Sequence, residues 1–252
     1  MNYPASTYRI QFNSKFTFKD FAPLLDYLKS LGISTIYASP ITKSEKDSVH
    51  GYDVTDASMV NPEIGTLEEL RLLSKELQQR EMTWLQDIVP NHMAFSMDNP
   101  KLYDVLERGQ FSPFYNYFDI FWDHPELKGK VQIPTLGKEL KQCIEEKEIS
   151  LIFDTQSFQV KYMDNVFPLS VTALPILIED MKGNSLPEAV IQTTEKLWTT
   201  AYHTGLEEWT EQKKQLITTL LKEDIRPVLI SFIDKINGDA DKLRTILDAQ
   251  AY

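Results

Sequence analysis

The first ninety residues alternate between segments with the composition of β-strands and segments with the periodicity of helices. Three segments are short and rich in β-branched and aromatic residues, and the two between them repeat leucine or phenylalanine at helical spacing. The predicted strands cover residues 6–12, 34–38 and 83–89, and the predicted helices cover residues 20–31 and 66–77. This order implies right-handed crossovers between parallel strands, which limits the chain to an α/β fold built on a parallel sheet.

Residue types at the helix ends support both helices. Pro23 fits only the first turn of a helix, so the first helix is expected to begin near Asp20. Gly32 is suited to the position just after its end. Thr66 and Glu69 have the spacing of a capping box, in which each side chain bonds the other residue's backbone N–H. The second helix is therefore expected to start at this pair.

The alternation stops after residue 92. Residues 93–185 contain aromatic residues, prolines and short apolar runs, and we expect a small inserted α+β subdomain whose core includes the aromatic segment 114–122. Residues 186–252 have helical periodicity, which predicts a helical C-terminal segment. The sequence thus predicts three parts, residues 1–92, 93–185 and 186–252.

The charge balance excludes several classes of partner. The 252 residues include 37 acidic and 26 basic ones, and the net charge of -11 argues against nucleic acid or an anionic membrane surface as partner. No apolar run approaches the roughly 20 residues that span a bilayer. Cys143 is the single cysteine, which excludes an internal disulfide and indicates a reducing compartment. With no signal peptide at the N-terminus, the expected location is cytoplasmic.

Two clusters of polar side chains follow predicted strands of the sheet. The first contains His50, Tyr52 and Asp53 in a long polar loop, residues 39–64, and the second contains Asp87, Asn91 and His92. Singly, each residue could cap a turn or anchor a loop. Because the carboxyl ends of parallel strands meet at one edge, we expect the two clusters to share a pocket. A tyrosine ring covers the apolar face of a sugar, and carboxylate or imidazole groups bind its hydroxyls, so the pattern predicts a site for a neutral sugar.

The motifs around these clusters resemble the α-amylase superfamily of glycoside hydrolases and transglycosylases. The strings "HGYDVTD", "NPEIGTLEEL" and "DIVPNH" carry the likeness, and the last has the superfamily's D-x-x-x-N-H form. Within the superfamily, "STYRIQF", "YASPI", "DIVPNHMA" and the terminal "DAQAY" are most similar to the maltooligosyl trehalose synthases. The likeness is strong from Thr7 to His92 and patchy afterwards. It implies the N-terminal part of a (β/α)8 TIM barrel, about three strands of it.

The resemblance also implies roles for the residues of both clusters. Tyr52 would stack on the glucose where the bond is broken, His92 would bind the hydroxyls of the same sugar, and Asp87 would orient this pair. His50 and Asp53 would make further sugar contacts, and Asn91 would hold the loop. In many amylases the matching asparagine binds calcium, but further oxygen ligands cannot be named in this sequence, so no metal and no cofactor is expected.

The resemblance places the catalytic groups outside this chain. It implies retention at the anomeric carbon, with a nucleophilic aspartate after strand four and an acid/base glutamate after strand five of the barrel. The sequence has three convincing barrel strands and no G-x-R-x-D motif, so these residues are expected beyond residue 252. A barrel needs eight strand–helix units. The chain is therefore expected to be inactive alone, and the missing C-terminal half of the enzyme is an expected partner.

Three functions remain open at this point. The first is an N-terminal fragment of a maltooligosyl trehalose synthase, which converts the reducing-end α-1,4 linkage of a maltooligosaccharide to α,α-1,1 by intramolecular transglycosylation. The second is another hydrolase or transferase of the superfamily that acts on α-glucans. The third is a non-catalytic glucan-binding or degenerate protein. All three predict a maltooligosaccharide or α-glucan as the ligand.

Overall fold

A computed structural model of the protein describes residues 4–155, 157–203 and 205–252. The chain divides into two compact units, Met1–Pro100 and Lys101–Tyr252, each with its own hydrophobic core. Within the described ranges, every helix is too short or too polar to cross a bilayer. The predicted division of residues 93–252 into an inserted part and a helical part stays a prediction.

The first unit is built on a parallel sheet. Its elements in chain order are β1 (Thr7–Ile10), α1 (Phe18–Phe21), a 3₁₀ turn (Ala22–Leu24), α2 (Leu25–Ser30), β2 (Thr35–Ala38), β3 (Thr42–Ser44), β4 (Val54–Val60), α3 (Leu67–Gln79) and β5 (Thr83–Gln86). Strands β1, β2 and β5 pair in that order, all parallel. The three predicted strands are thus confirmed: two of their six ends coincide with the predicted ones, and the other four lie one to three residues inside them.

The first helix differs from its prediction. Thr17 and Asp20 form a capping box, so the helix begins at Phe18 rather than at Asp20. Pro23 lies in the 3₁₀ turn between α1 and α2 rather than in a first turn. Proline has no N–H to donate, which favours a local break in the α-helical hydrogen-bond ladder. The capping box of Thr66 and Glu69 at the start of α3 is as predicted.

The long polar loop contains a hairpin that the sequence did not indicate. Strands β3 and β4 pair antiparallel, with register shifts on both sides of Lys43. The residues that join them, 45–53, include His50, Tyr52 and Asp53. A two-stranded ribbon therefore supports the first predicted polar cluster, where an irregular loop was expected.

The helical face of the parallel sheet forms the core of the first unit. Apolar side chains from β1, β2, α1, α2 and α3 are buried there, among them Ile10, Phe21, Ile36, Leu73 and Leu77. On the opposite face Leu85 of β5 is 45% exposed. Tyr8, on the helical face of the edge strand β1, is also exposed. Strands β1 and β5 each pair on one side only among the described residues. Within the described part of the chain, the sheet therefore has two open edges.

The second unit combines an antiparallel sheet with helices. In chain order it contains α4 (Pro100–Arg108), a 3₁₀ turn (Gly109–Phe111), α5 (Leu140–Glu145), β6 (Ile149–Asp154), β7 (Ser157–Tyr162), β8 (Asn165–Pro168), a 3₁₀ turn (Val171–Ala173), α6 (Leu174–Gly183), α7 (Glu188–His203), α8 (Leu206–Leu220), α9 (Arg226–Gly238) and α10 (Ala240–Asp248). Strands β6, β7 and β8 form a meander. The predicted helical character after residue 186 is confirmed.

The burial of two parts of the second unit bears on the sequence analysis. Cys143 is buried among apolar side chains. The expectation that residues 114–122 lie in a core was wrong: none of them is fully buried, Tyr117 is 63% exposed and Phe121 is 81% exposed. This segment forms turns and no strand, so its aromatic side chains do not alternate between a buried and an exposed face.

Candidate functional site

The register of the parallel sheet places Arg9, Tyr37 and Asp87 on one face. Arg9 lies opposite Tyr37 across β1 and β2, and Tyr37 lies opposite Leu85 across β2 and β5. Asp87 follows Leu85 by two residues, and its backbone N–H donates to the carbonyl of Ala38 at 3.0 Å. Because alternate residues of a strand point to the same side, the three polar side chains meet away from the helical core.

Asp87 is the centre of this group. Its Oδ2 atom accepts hydrogen bonds from the Tyr52 hydroxyl at 2.5 Å, the Tyr37 hydroxyl at 3.1 Å and Arg9 Nη1 at 3.2 Å. The Asp87 side chain is 16% exposed, so these three donors replace much of the water that a carboxylate otherwise binds. Three separate chain segments are thereby joined at one oxygen atom.

Arg9 connects the strand to the hairpin. Its Nη2 atom donates to the Tyr52 hydroxyl at 3.2 Å and to Gln11 Oε1 at 3.1 Å. The Gln11 amide in turn donates to the carbonyl oxygens of Val49 at 3.3 Å and His50 at 3.2 Å. The guanidinium carbon of Arg9 lies 4.8 Å from the centre of the Tyr37 ring, within the range of a cation–π contact.

The hairpin loop is held by its own short-range contacts. Ser48 donates to Asp53 Oδ1 at 2.5 Å and accepts from the Gly51 N–H at 3.1 Å, and the Tyr52 N–H donates to His50 Nδ1 at 3.1 Å. Gly51 has a φ of +73°, and a Cβ atom there would lie 2.8 Å from the carbonyl oxygen of a proline, residue 40. Glycine is required at this position, directly before Tyr52.

The electrostatics of the cluster follow from these hydrogen bonds. The Tyr52 hydroxyl, followed by Arg9 and Tyr37, holds the pKa of Asp87 below its ordinary value, against the opposing effect of desolvation. Donation to Asp87 raises the pKa of Tyr52, although Arg9 acts in the opposite sense. Asp87 is therefore a carboxylate and Tyr52 a neutral phenol at neutral pH, and Arg9 balances the charge of Asp87.

The structure brings some of the predicted residues together and leaves others apart. Tyr52 and Asp87 are in direct contact, and His50 and Asp53 belong to the loop that holds Tyr52, with 3.9 Å between His50 Nδ1 and Asp53 Oδ1. Asn91 and His92 are exposed, and no contact described for this unit joins either of them to Asp87. Across the described residues, no three His, Cys, Asp or Glu side chains are grouped to hold a metal ion.

Sequence reasoning missed Arg9, Gln11 and Tyr37. A signal for the first two was present, because they alternate with apolar Tyr8, Ile10 and Phe12 in a predicted strand. Polar residues at every second position of a barrel strand indicate the face opposite the helices. Tyr37, between Ile36 and Ala38, gave no such signal, because a tyrosine is ordinary in a strand.

Comparisons with known proteins identify the family of this chain. The α-amylase catalytic-domain model matches residues 15–163. A Mycobacterium tuberculosis protein that carries the name maltooligosyl trehalose synthase is 40% identical over 141 residues, which cover 53% of this chain and 18% of the relative. The α-amylase 2 of Dictyoglomus thermophilum is 46% identical over 123 residues, which cover 48% of this chain and 21% of the relative.

A solved structure extends the comparison to three dimensions. A crystal structure of a maltooligosyl trehalose synthase matches with a TM-score of 0.63 and 37% sequence identity, and the match covers 67% of this chain and 23% of that one. The chain spans about a fifth of the length of the curated relatives described above. Because the catalytic-domain match extends over more than half of its residues, the chain belongs to the α-amylase family, and its three parallel strands are part of that family's TIM barrel.

Proposed function

We propose that this chain supplies the N-terminal part of an enzyme that acts on maltooligosaccharides, of the type found in maltooligosyl trehalose synthases. The observation that carries the proposal is the hydrogen-bonded group of Arg9, Tyr37, Tyr52 and Asp87 at the carboxyl ends of three barrel strands. A relative with that name is 40% identical over 141 residues, and a crystal structure of such a synthase matches 67% of the chain. The reaction is the conversion of a reducing-end α-1,4 linkage to α,α-1,1.

In this proposal Tyr52 provides the sugar platform. Its hydroxyl is fully engaged with Asp87 and Arg9, so the ring cannot rotate freely, and its face is the surface that it offers to a ligand. A fixed aromatic ring loses little conformational entropy on binding. His50, Asp53 and His92 provide hydroxyl contacts, and Asn91 holds the loop after β5. The polar hydroxyls of a glucose match these side chains better than an anionic ligand would match a chain with net charge -11.

Asp87 does not serve as the nucleophile in this proposal. A retaining mechanism needs two carboxyl groups about 5–5.5 Å apart, one free to attack and one free to exchange a proton. The Asp87 Oδ2 atom already accepts three hydrogen bonds, so it is not free for either role. We place the nucleophile and the acid/base residue beyond residue 252, because the resemblance to the family puts them after strands four and five of the barrel.

The remaining barrel strands are the proposed partner of this chain, whether they belong to a longer protein or to a separate chain. Leu85 faces the same side as Asp87 and is 45% exposed, although inward side chains of a closed barrel are packed in layers. Both sheet edges expose unpaired backbone groups that further strands would satisfy. The single cysteine, Cys143, supports a reducing compartment, and we place the enzyme in the cytoplasm.

The test is NMR of maltohexaose with the purified 252-residue chain. Saturation transfer from the protein to maltohexaose is expected, and it should be weaker in Tyr52→Ala. Tyr27→Ala is the matched control, because Tyr27 is an exposed tyrosine of the same unit. Absence of transfer in the wild-type chain would refute the sugar site. New α,α-1,1 anomeric signals on incubation would refute the placement of the catalytic residues beyond residue 252.

A second function is favoured by one observation. The α-amylase 2 of Dictyoglomus thermophilum is 46% identical over the part that it shares with this chain, a level similar to that of the Mycobacterium tuberculosis protein. The same barrel strands therefore fit an enzyme that hydrolyses α-glucans or transfers them to another acceptor. Product analysis of the protein completed by its later strands separates the two, because hydrolysis creates reducing ends and α,α-1,1 transfer removes them.

A further inference from the structure

Both terminal nitrogens of the Arg9 guanidinium group donate to protein atoms. One terminal nitrogen donates to Asp87, the other donates to Tyr52 and Gln11, and the planar group lies over the ring of Tyr37. The side chain is 37% exposed, so part of this group faces solvent at the same surface as Tyr52. A single side chain of β1 thus touches the ends of β2 and β5 and the hairpin loop.

The arrangement uses the fork of the guanidinium. Asp87 and Tyr52 are bonded to each other at 2.5 Å, and Arg9 reaches the first through Nη1 and the second through Nη2. The three groups therefore form a closed ring of hydrogen bonds. A lysine ammonium is a compact charge on a flexible stem, and it cannot present two donors in one plane at this separation.

Arg9 also acts on the loop through Gln11. The Arg9 donor fixes the Gln11 carbonyl, and this orients the Gln11 amide toward the carbonyl oxygens of Val49 and His50. These two backbone groups lie directly before Gly51 and Tyr52 in the chain. Tyr52 is consequently held at its hydroxyl by Arg9 and Asp87, and at its backbone side by a relay that begins at Arg9.

We propose that Arg9 is a positioning residue of the sugar site, which fixes the ring of Tyr52 in one orientation without touching the sugar itself. This inference rests on the proposed function, because it assigns to Arg9 a part in the binding of the same ligand. Its physical basis is preorganisation: a ring that is already fixed loses less conformational freedom when the sugar stacks on it. Gln11 extends the same action to the loop.

The experiment measures the dissociation constant of maltohexaose for the full chain by NMR titration. We expect Arg9→Met and Arg9→Lys each to weaken binding about tenfold, since neither side chain can restore the two-pronged contact. Arg80→Met is the matched control, because Arg80 makes ion pairs with Asp26 and Glu76 in the same unit. The affinity of Arg80→Met for maltohexaose should stay within about twofold of the wild-type value.

A double variant separates positioning from direct contact. If Arg9 acts through Tyr52, then Arg9→Met should cost no further affinity in a Tyr52→Ala background. Titration of the Tyr52 phenol, followed by ¹³C NMR of its ζ carbon, gives a readout without sugar. Removal of the Arg9 hydrogen bond and charge should raise the pKa of Tyr52, and a fold defect elsewhere would not produce this change.

The outcomes distinguish the two levels of the proposal. Wild-type affinity in Arg9→Met, or an unchanged Tyr52 titration, would overturn the role of Arg9 and leave the sugar site standing. If Arg9→Met weakens maltohexaose binding equally in the wild-type and the Tyr52→Ala backgrounds, then Arg9 contacts the sugar directly. This result also overturns the positioning role. Failure of the wild-type chain to bind maltohexaose would overturn the proposed function, and the role of Arg9 with it.

Discussion

Replacement of Asp87 by asparagine tests the hydrogen-bonded group most directly. The asparagine oxygen can take the place of Oδ2 and accept from the same donors, but it is uncharged, so the ion pair with Arg9 and the charge-assisted hydrogen bonds are lost. A hydrogen bond to a charged group contributes about 1.5–3 kcal/mol when buried, and the exposure of Arg9 reduces its share. Asp87→Asn should therefore lower the free energy of unfolding of the first unit by about 2 kcal/mol.

The assay must report on the first unit alone. Trp84 is the single tryptophan of residues 1–100, and it packs against the core of that unit. Incorporation of 5-fluorotryptophan gives each of the 4 tryptophans its own ¹⁹F signal, so urea unfolding can be followed at Trp84. A loss of about 2 kcal/mol corresponds to a roughly thirtyfold change in the unfolding equilibrium, which is well within the range of this method.

The matched control is Asp26→Asn. Asp26 accepts from Arg80 Nε at 2.7 Å, but its side chain is 82% exposed. Surface ion pairs of this kind contribute about 0–1 kcal/mol, so the Trp84 transition should move little. If Asp87→Asn shifts the transition no further than Asp26→Asn does, then the convergence of donors on Asp87 does not stabilise the unit, and the reasoning is refuted.

Three further predictions concern the first unit. Because its donors lower the pKa of Asp87, the stabilisation by this carboxylate is fully present above about pH 4 and is lost as the pH falls through the folded-state pKa. The difference in urea midpoint between wild type and Asp87→Asn should thus shrink below pH 4, and a constant difference down to pH 2 would contradict this. Gly51→Ala should lower the free energy of unfolding by about 2–4 kcal/mol, because the new Cβ atom clashes with backbone at a position with a left-handed φ. Gly32→Ala also has a positive φ, but its Cβ atom would meet no neighbour, so the loss should be about 1–2 kcal/mol. Urea unfolding measures the loss of stability in both glycine variants, and equal losses would contradict the backbone clash at Gly51. Leu77→Ala should lower the free energy of unfolding by about 2–5 kcal/mol, because Leu77 is buried in the core. Leu72→Ala, on the exposed side of the same helix, should lower it by less than about 0.5 kcal/mol. The order of the two thermal midpoints checks which face of the helix packs on the core.

The fold of the first unit was largely predictable from local patterns. Strands β1, β2 and β5 have β-branched and aromatic residues in short runs, and α3 has both a leucine stripe and a capping box. These features depend on neighbours a few residues apart. The start of the first helix was missed, although Thr17 and Asp20 have the same spacing as Thr66 and Glu69, because the position of Pro23 was given more weight.

The candidate site was predictable only in part, for a physical reason. Tyr52 and Asp87 belong to motifs, whereas Arg9 and Tyr37 became part of the site through the register of three strands and the return of the hairpin. Register is set by long-range pairing, which no local pattern fixes. The β3–β4 hairpin was missed for a similar reason, because a polar ribbon with shifted register lacks the regular alternation that marks a strand.

The convergence of donors on Asp87 has a consequence for how this site can change during evolution. Arg9, Tyr37 and Tyr52 come from three separate parts of the chain, yet each relies on the same acceptor oxygen. Loss of the carboxylate would leave three donors facing one another, and loss of Arg9 would leave a partly buried carboxylate without its counter-charge. These four positions should therefore vary together among homologues, so that a sequence lacking Asp87 lacks Arg9 as well.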